Sequence, residues 1–192
     1  MDPNFIVAFD HAMLYEIGPW FDSTDMDTIA GNIGTSLLNR KCGYEDVTGD
    51  RGGRTKYGIA SVDNPTVDVT HLTLGSAMQV YLDQYWILGK CDQIMSAPVT
   101  IFQFDMDINN GLGRGAKILQ QASHVTIDGN VGPGTLAAVN AMDPRALISA
   151  LSTIRTNRYN TIVQNDPSQA KFLDGWLRRV SEVTQYSLAQ LQ

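Results

Sequence analysis

The chain has 192 residues, 43% of them hydrophobic, which is enough apolar material for one sizeable core or two small lobes sharing one. A formal net charge of −6 argues against nucleic acid as a partner and against simple electrostatic adhesion to an anionic polymer. No apolar run approaches the roughly 18 residues of a membrane span, and Met1-Asp2-Pro3-Asn4 lacks the basic start of a secretory signal, so the reading is a cytosolic, soluble protein.

Along the chain, Phe5, Phe9, Ala12, Met13 and Glu16 recur at helical spacing, and Gly18-Pro19 stops the helix just beyond them. Glu16 therefore ends an apolar stripe, half-buried and against the negative end of the helix dipole, where a carboxyl is suited to general acid work. The spacing is equally satisfied by a solvated residue where the stripe frays. Asp22, Asp25 and Asp27 read as an acidic turn, since no calcium-loop pattern follows them.

The stretch Gly43–Ser61 is too polar and glycine-rich for a core. Gly49, Gly52, Gly53 and Gly58 permit close backbone approach, and between them stand Asp50, Arg51, Arg54, Thr55, Lys56 and Tyr57. It reads as one wall of a cleft, although composition alone fits an ordinary surface loop as well.

Thr73 caps a helix whose stripe Leu74, Met78, Tyr81 ends in Tyr85-Trp86. Pro98 opens a helix with Val99, Phe102 and Met106 inward, followed by Asn109-Asn110-Gly111. Lys117 to Gln121 reads as a short helix, Asp128-Gly129-Asn130 as a turn, and Pro133 as the start of the next helix. Asp143-Pro144 caps another, with Leu147, Leu151, Ile154, Arg158 and Ile162 on one face; the last helix carries Phe172, Trp176 and Val180. The expected fold is mainly α, with at most a small hairpin near Tyr44 to Ile59. Cys42 and Cys91 have no partners at metal-ligand spacing and read as free thiols.

With these segments in place, the chain resembles the phage-type peptidoglycan hydrolases of glycoside hydrolase family 108 over nearly its whole length. The opening helix ending in Glu16 resembles the family's first helix. Asp50-Arg51-Gly52-Gly53-Arg54-Thr55-Lys56-Tyr57-Gly58-Ile59 matches its Asp-x-Gly-Gly-x-Thr-x-x-Gly-Ile run, and Tyr81 with Tyr85-Trp86 its Tyr-x-x-x-Tyr-Trp helix end. The second half resembles the associated peptidoglycan-binding region through Phe104-Asp105, Asn110, Ala116, Leu119-Gln120, Asp128-Gly129-x-Val131-Gly132-Pro133, Arg155 and Trp176.

The resemblance implies a lysozyme-like multi-helix globule, with a catalytic region over 1–95 and a helical peptidoglycan-binding-like region over 96–192, packed as one compact unit. It further implies a muramidase that cleaves the β-1,4 bond between N-acetylmuramic acid and N-acetylglucosamine. Glu16 would be the general acid, with Asp50 or Thr55 on the opposite wall steadying positive charge or positioning water. Tyr57, Tyr85, Trp86 and Asn110 would bind the substrate. The implied partner is bacterial peptidoglycan, met by a monomer with no metal or organic cofactor, no nucleic acid and no membrane insertion. A phage product of this kind would be made in the host cytoplasm and reach the wall through a holin, or travel in the virion.

One departure from the family pattern is that Glu16 and Asp50 are 34 positions apart, where the family keeps its acid close to the glycine run. Treating residues 22–46 as a loop insertion keeps Glu16 as the acid. The gapless register instead sets Lys41-Cys42-Gly43-Tyr44 on the family's Glu-Gly-Gly-Tyr, and a lysine is a poor acid at neutral pH. The first register predicts an enzyme. The second predicts a non-catalytic wall-binding or virion structural protein on the same fold. A lytic transglycosylase is the further alternative, but it needs no second polar group, and this chain offers Asp50 and Thr55.

Overall fold

The computed structural model describes residues 2–17 and 53–191. Seven α-helices and one two-stranded antiparallel sheet are found among them, a mainly helical, lysozyme-like architecture. The chain divides into two units, Phe9–Asp83 and Met1–Ala8 with Gln84–Gln192. The first turns of the opening helix thus belong with the C-terminal unit. The sequence's acidic turn, Asp50, the 22–46 insertion, Lys41 and Cys42 lie outside the described residues.

In the unit Phe9–Asp83, helix α1 (Pro3–Glu16) brings Phe9, Ala12 and Met13 into the core, as their spacing predicts. A small hairpin is present, as the sequence suggested. Strands β1 (Thr55–Lys56) and β2 (Ile59–Ala60) pair Thr55 with Ala60 and Lys56 with Ile59, leaving Tyr57-Gly58 as the turn. Both turn residues have positive φ, 53° and 74°, the arrangement whose twist matches that of paired strands. Helix α2 (Leu74–Tyr81) opens on a full capping box. The Thr73 Oγ1 accepts from the Ser76 amide at 3.1 Å, and Ser76 Oγ accepts from the Thr73 amide at 2.8 Å. Its face Leu74, Ala77, Met78 and Tyr81 is buried, and the Tyr81 ring meets Phe9 edge-on at 5.5 Å.

The other unit is built from four long helices and one short one. These are α3 (Ala97–Asn110), α4 (Leu112–Ala122), α5 (Pro133–Ala141), α6 (Pro144–Asn165) and α7 (Ala170–Ala189). Its core gathers Ile94, Val99, Phe102, Met106, Ile118, Leu119, Val139, Leu147, Ile148, Leu151 and Val183. A π-helical segment, Leu82–Ile87, carries Trp86 inward, where Trp86, Phe5 and Phe104 meet edge-to-face at 5.4 to 5.8 Å. No described helix is long and apolar enough to cross a membrane.

Helix α4 starts five residues before the sequence reading placed it, in spite of Gly113 and Gly115, which disfavour helix. Packing explains Gly115: a Cβ there would stand 1.9 Å from Asp107 Oδ1. Helix α6 also departs from its expected stripe. Its buried face is Leu147, Ile148, Leu151, Arg155 and Tyr159, so Ile154, Arg158 and Ile162 are turned partly outward. The reason is ionic. Arg155, fully buried, donates to Asp105 Oδ2 at 2.6 Å, and Arg179 donates to Asp105 Oδ1 at 2.8 Å. Burial alone would raise the Asp105 carboxyl, but the charges of Arg155 and Arg179 outweigh it and hold the group below its usual value.

The Asp128-Gly129-Asn130 turn is held by one side chain. Gln120 accepts from the amides of Asp128 and Gly129 at 3.0 and 2.9 Å, and donates to Asp128 Oδ1 and the Asn130 carbonyl at 2.7 and 2.9 Å. A buried amide is thereby fully used. Gly129 takes φ 85° there.

Candidate active site

Within the unit Phe9–Asp83, the end of α1 and the Tyr57-Gly58 turn come together. Glu16 is half-buried, and its side chain covers Gly58: a Cβ on that glycine would stand 2.9 Å from Glu16 Cβ and 3.1 Å from Glu16 Oε2. The same Cβ would stand 2.6 Å from the Tyr81 hydroxyl. Only glycine fits, both for this space and for the positive φ. The turn is fixed from below, because Tyr81 Oη donates to the Tyr57 carbonyl at 2.9 Å inside the core. A non-glycine residue with positive φ is costly unless its surroundings hold it, and burial of Tyr57 with this hydrogen bond does so.

The sequence-predicted residues therefore separate into groups. Glu16 and the glycine-run hairpin that carries Thr55 are brought together in one unit. Thr55 is half-buried at the start of β1. Asp50 lies outside the described residues. Tyr57 does not offer a sugar platform: its ring is fully buried, with Lys56 Nζ 5.7 Å from the ring centroid. Tyr85, Trp86 and Asn110 belong to the other unit. Trp86 is buried among aromatic rings, so it too has no face open for a sugar. Tyr85 is half-buried in the π-helical segment. Asn110 is tied into a polar cluster, donating to Tyr159 Oη at 2.9 Å and to Asn109 Oδ1 at 2.7 Å. The substrate-binding roles expected of the Tyr57 and Trp86 rings give way to packing, because helix and turn geometry aim both rings at the core.

Of the four glycines that permit close approach, Gly58 is the seat of Glu16, and the two-residue spacing between short strands is its signal. One feature is not singled out from the sequence. Asp107 is a buried carboxyl on α3 whose Oδ1 accepts from Gln103 Nε2 at 2.8 Å. Burial pushes it well above the usual carboxylate range, outweighing the hydrogen bond from Gln103, which acts the other way. Nothing in a single sequence distinguishes it from the exposed acids, apart from Gln103 one helical turn earlier. Cys91 is buried and free, and burial, then the neighbouring charge of Asp107, raises its thiol. Among the described residues no group of three or more His, Cys, Asp and Glu side chains could hold a metal ion.

Residues 35–111 match the family model described as Glycosyl hydrolase 108, and residues 114–181 the model described as Predicted Peptidoglycan domain. Among solved structures, that of Brucella abortus SagA is similar, with 26% sequence identity and a TM-score of 0.66 over 96% of this chain and 95% of that one. No curated protein matches significantly in sequence. The match to the glycosyl hydrolase 108 model is thus followed within a few residues by the match to the peptidoglycan-domain model.

Proposed function

We propose that the protein is a muramidase, hydrolysing the β-1,4 bond between N-acetylmuramic acid and N-acetylglucosamine with Glu16 as general acid. A peptidoglycan hydrolase or peptidoglycan-binding role is what the two family matches support. The finer reading rests on one observation, the carboxyl of Glu16 lying against the glycine-run turn at Gly58. A rigid turn and a half-buried helix end hold that carboxyl in place, which is what proton delivery to a glycosidic oxygen requires. Thr55, on the strand entering the turn, and Asp50 are the polar groups proposed to position the attacking water. A lysozyme-type product, phage origin and release to the wall through a holin belong to the same proposal.

The specific experiment is Glu16→Gln, nearly isosteric but unable to donate a proton. General acid catalysis is typically worth about 100- to 10,000-fold, so turbidity clearance of purified sacculi should fall by at least that lower figure with little change in melting temperature. Clearance above about a tenth of the wild-type rate excludes Glu16 as the acid. Hydrolysis also predicts reducing muramic acid ends that borohydride reduces; mainly 1,6-anhydro ends would identify a transglycosylase.

A second reading, a non-catalytic peptidoglycan-binding protein, is favoured by the extent of the family match. It begins at residue 35 and so includes Lys41-Cys42-Gly43-Tyr44, while Glu16 lies outside it. Under that reading Lys41→Glu creates lytic activity, and wild-type protein retains sacculi without releasing muropeptides. Under the muramidase reading Lys41→Glu changes little.

A further inference from the structure

Helices α4 and α6 of the C-terminal unit flank a groove of about 480 Å³ whose chemistry is unlike that of the rest of this acidic protein. Arg114, Lys117 and Arg158 line it over a floor that includes Ile118, Ile154 and Ile162, and no carboxylate is among the lining residues. The cations are arranged against their own stability. Arg114 sits in the first turn of α4, at the positive end of the helix dipole. Burial, and then the charge of Arg114, push the Arg158 guanidinium below its ordinary value. The Nε of Arg158 is buried and has no acceptor among the described residues. The outward turn of Ile154, Arg158 and Ile162, forced by the burial of Arg155 on the same helix, is what builds this wall.

Repelling cations, an unused buried donor and an apolar floor together describe a site for a small anion carrying methyl groups. We propose that the groove binds the peptide stem of peptidoglycan, Arg114, Lys117 and Arg158 taking its free carboxylates and the isoleucines its alanyl methyl groups. The proposal rests on peptidoglycan being the ligand of this chain and adds to it the part of the polymer that is held and the residues that hold it. Sugar chemistry at Glu16 needs no such cations.

The test is calorimetric titration of the full chain, carrying Glu16→Gln, with a muramyl tripeptide and with the same peptide amidated at its carboxylates. Charge-assisted contacts are the strong ones, so amidation, Arg158→Gln and Arg114→Gln should each weaken binding by roughly tenfold or more. Affinity should also fall as salt rises. Removing either repelling cation should leave the melting temperature unchanged or higher, and Lys117→Gln, at an exposed position, supplies a third variant free of folding effects. Equal binding of both peptides, no saturable binding, or competition by inorganic phosphate at least as strong as the peptide would overturn the assignment. Failure of the two readings is separable: sacculi cleared by wild-type protein that does not bind the peptide sink the groove alone, and peptide binding without clearance sinks the muramidase alone.

Discussion

Gly58→Ala tests the seat of Glu16 more directly than replacing the acid itself. An L residue at φ 74° costs about 1–2 kcal/mol before any contact is considered. The added methyl then meets the Tyr81 hydroxyl at 2.6 Å and Glu16 Cβ at 2.9 Å. Tyr81 is the donor that holds the turn, so its displacement weakens a buried hydrogen bond worth about 1 kcal/mol. The expected loss in stability is about 2–3 kcal/mol in total. Gly53→Ala is the matched control. Its φ of 66° carries the same backbone cost, but among the described residues its methyl meets Ser61 Oγ at 2.6 Å and Val62 Cγ2 at 3.4 Å, and not Glu16. Under the proposed role of Glu16, displacing the acid by about 1 Å costs on the order of 100-fold in rate, so clearance of sacculi should separate the variants far more than urea unfolding does. Equal clearance by the two, at a temperature where both are folded, would show that the Glu16–Gly58 contact has no part in catalysis.

Two further expectations concern buried carboxyls of the C-terminal unit. The native state binds a proton at Asp107 that the unfolded chain releases above a pKa of about 3.9, so this group lowers stability progressively as pH rises from there towards its raised native value. Asp107→Asn should therefore match wild type near pH 4 and exceed it at pH 7 in denaturant unfolding; an unchanged difference between the two pH values would refute the assignment. Asp105 has the opposite sign: its native value is lowered, and its contribution is present above about pH 3.9 and lost as pH falls through the native value. Asp105→Asn leaves Arg155 and Arg179 without their buried counter-charge and should cost about 3–5 kcal/mol at pH 7. A loss below about 1 kcal/mol would mean that the two guanidinium groups find other partners.

Local chemistry determined much of this protein from sequence alone. Helix starts at Thr73, Pro98, Pro133 and Asp143 were legible because capping and proline act within three or four residues. So was the inward face of α1 ending at Glu16, since a helical period needs no partner to be read. Tertiary structure decided what depends on distant partners. Arg155, 50 positions from Asp105, overrode the hydrophobic stripe of α6 because a buried ion pair sets the rotation of the helix, and the cationic groove followed from that rotation. Gly115 in mid-helix made sense only against Asp107. Tyr57 and Trp86 were legible as aromatic residues in the right segments, but a ring's side of the backbone is set by turn φ and helix packing, which put both in the core. Gly58 became the seat of Glu16 for the same reason: close approach between residues 42 positions apart leaves no periodic trace in a single chain, only a glycine where no larger residue fits.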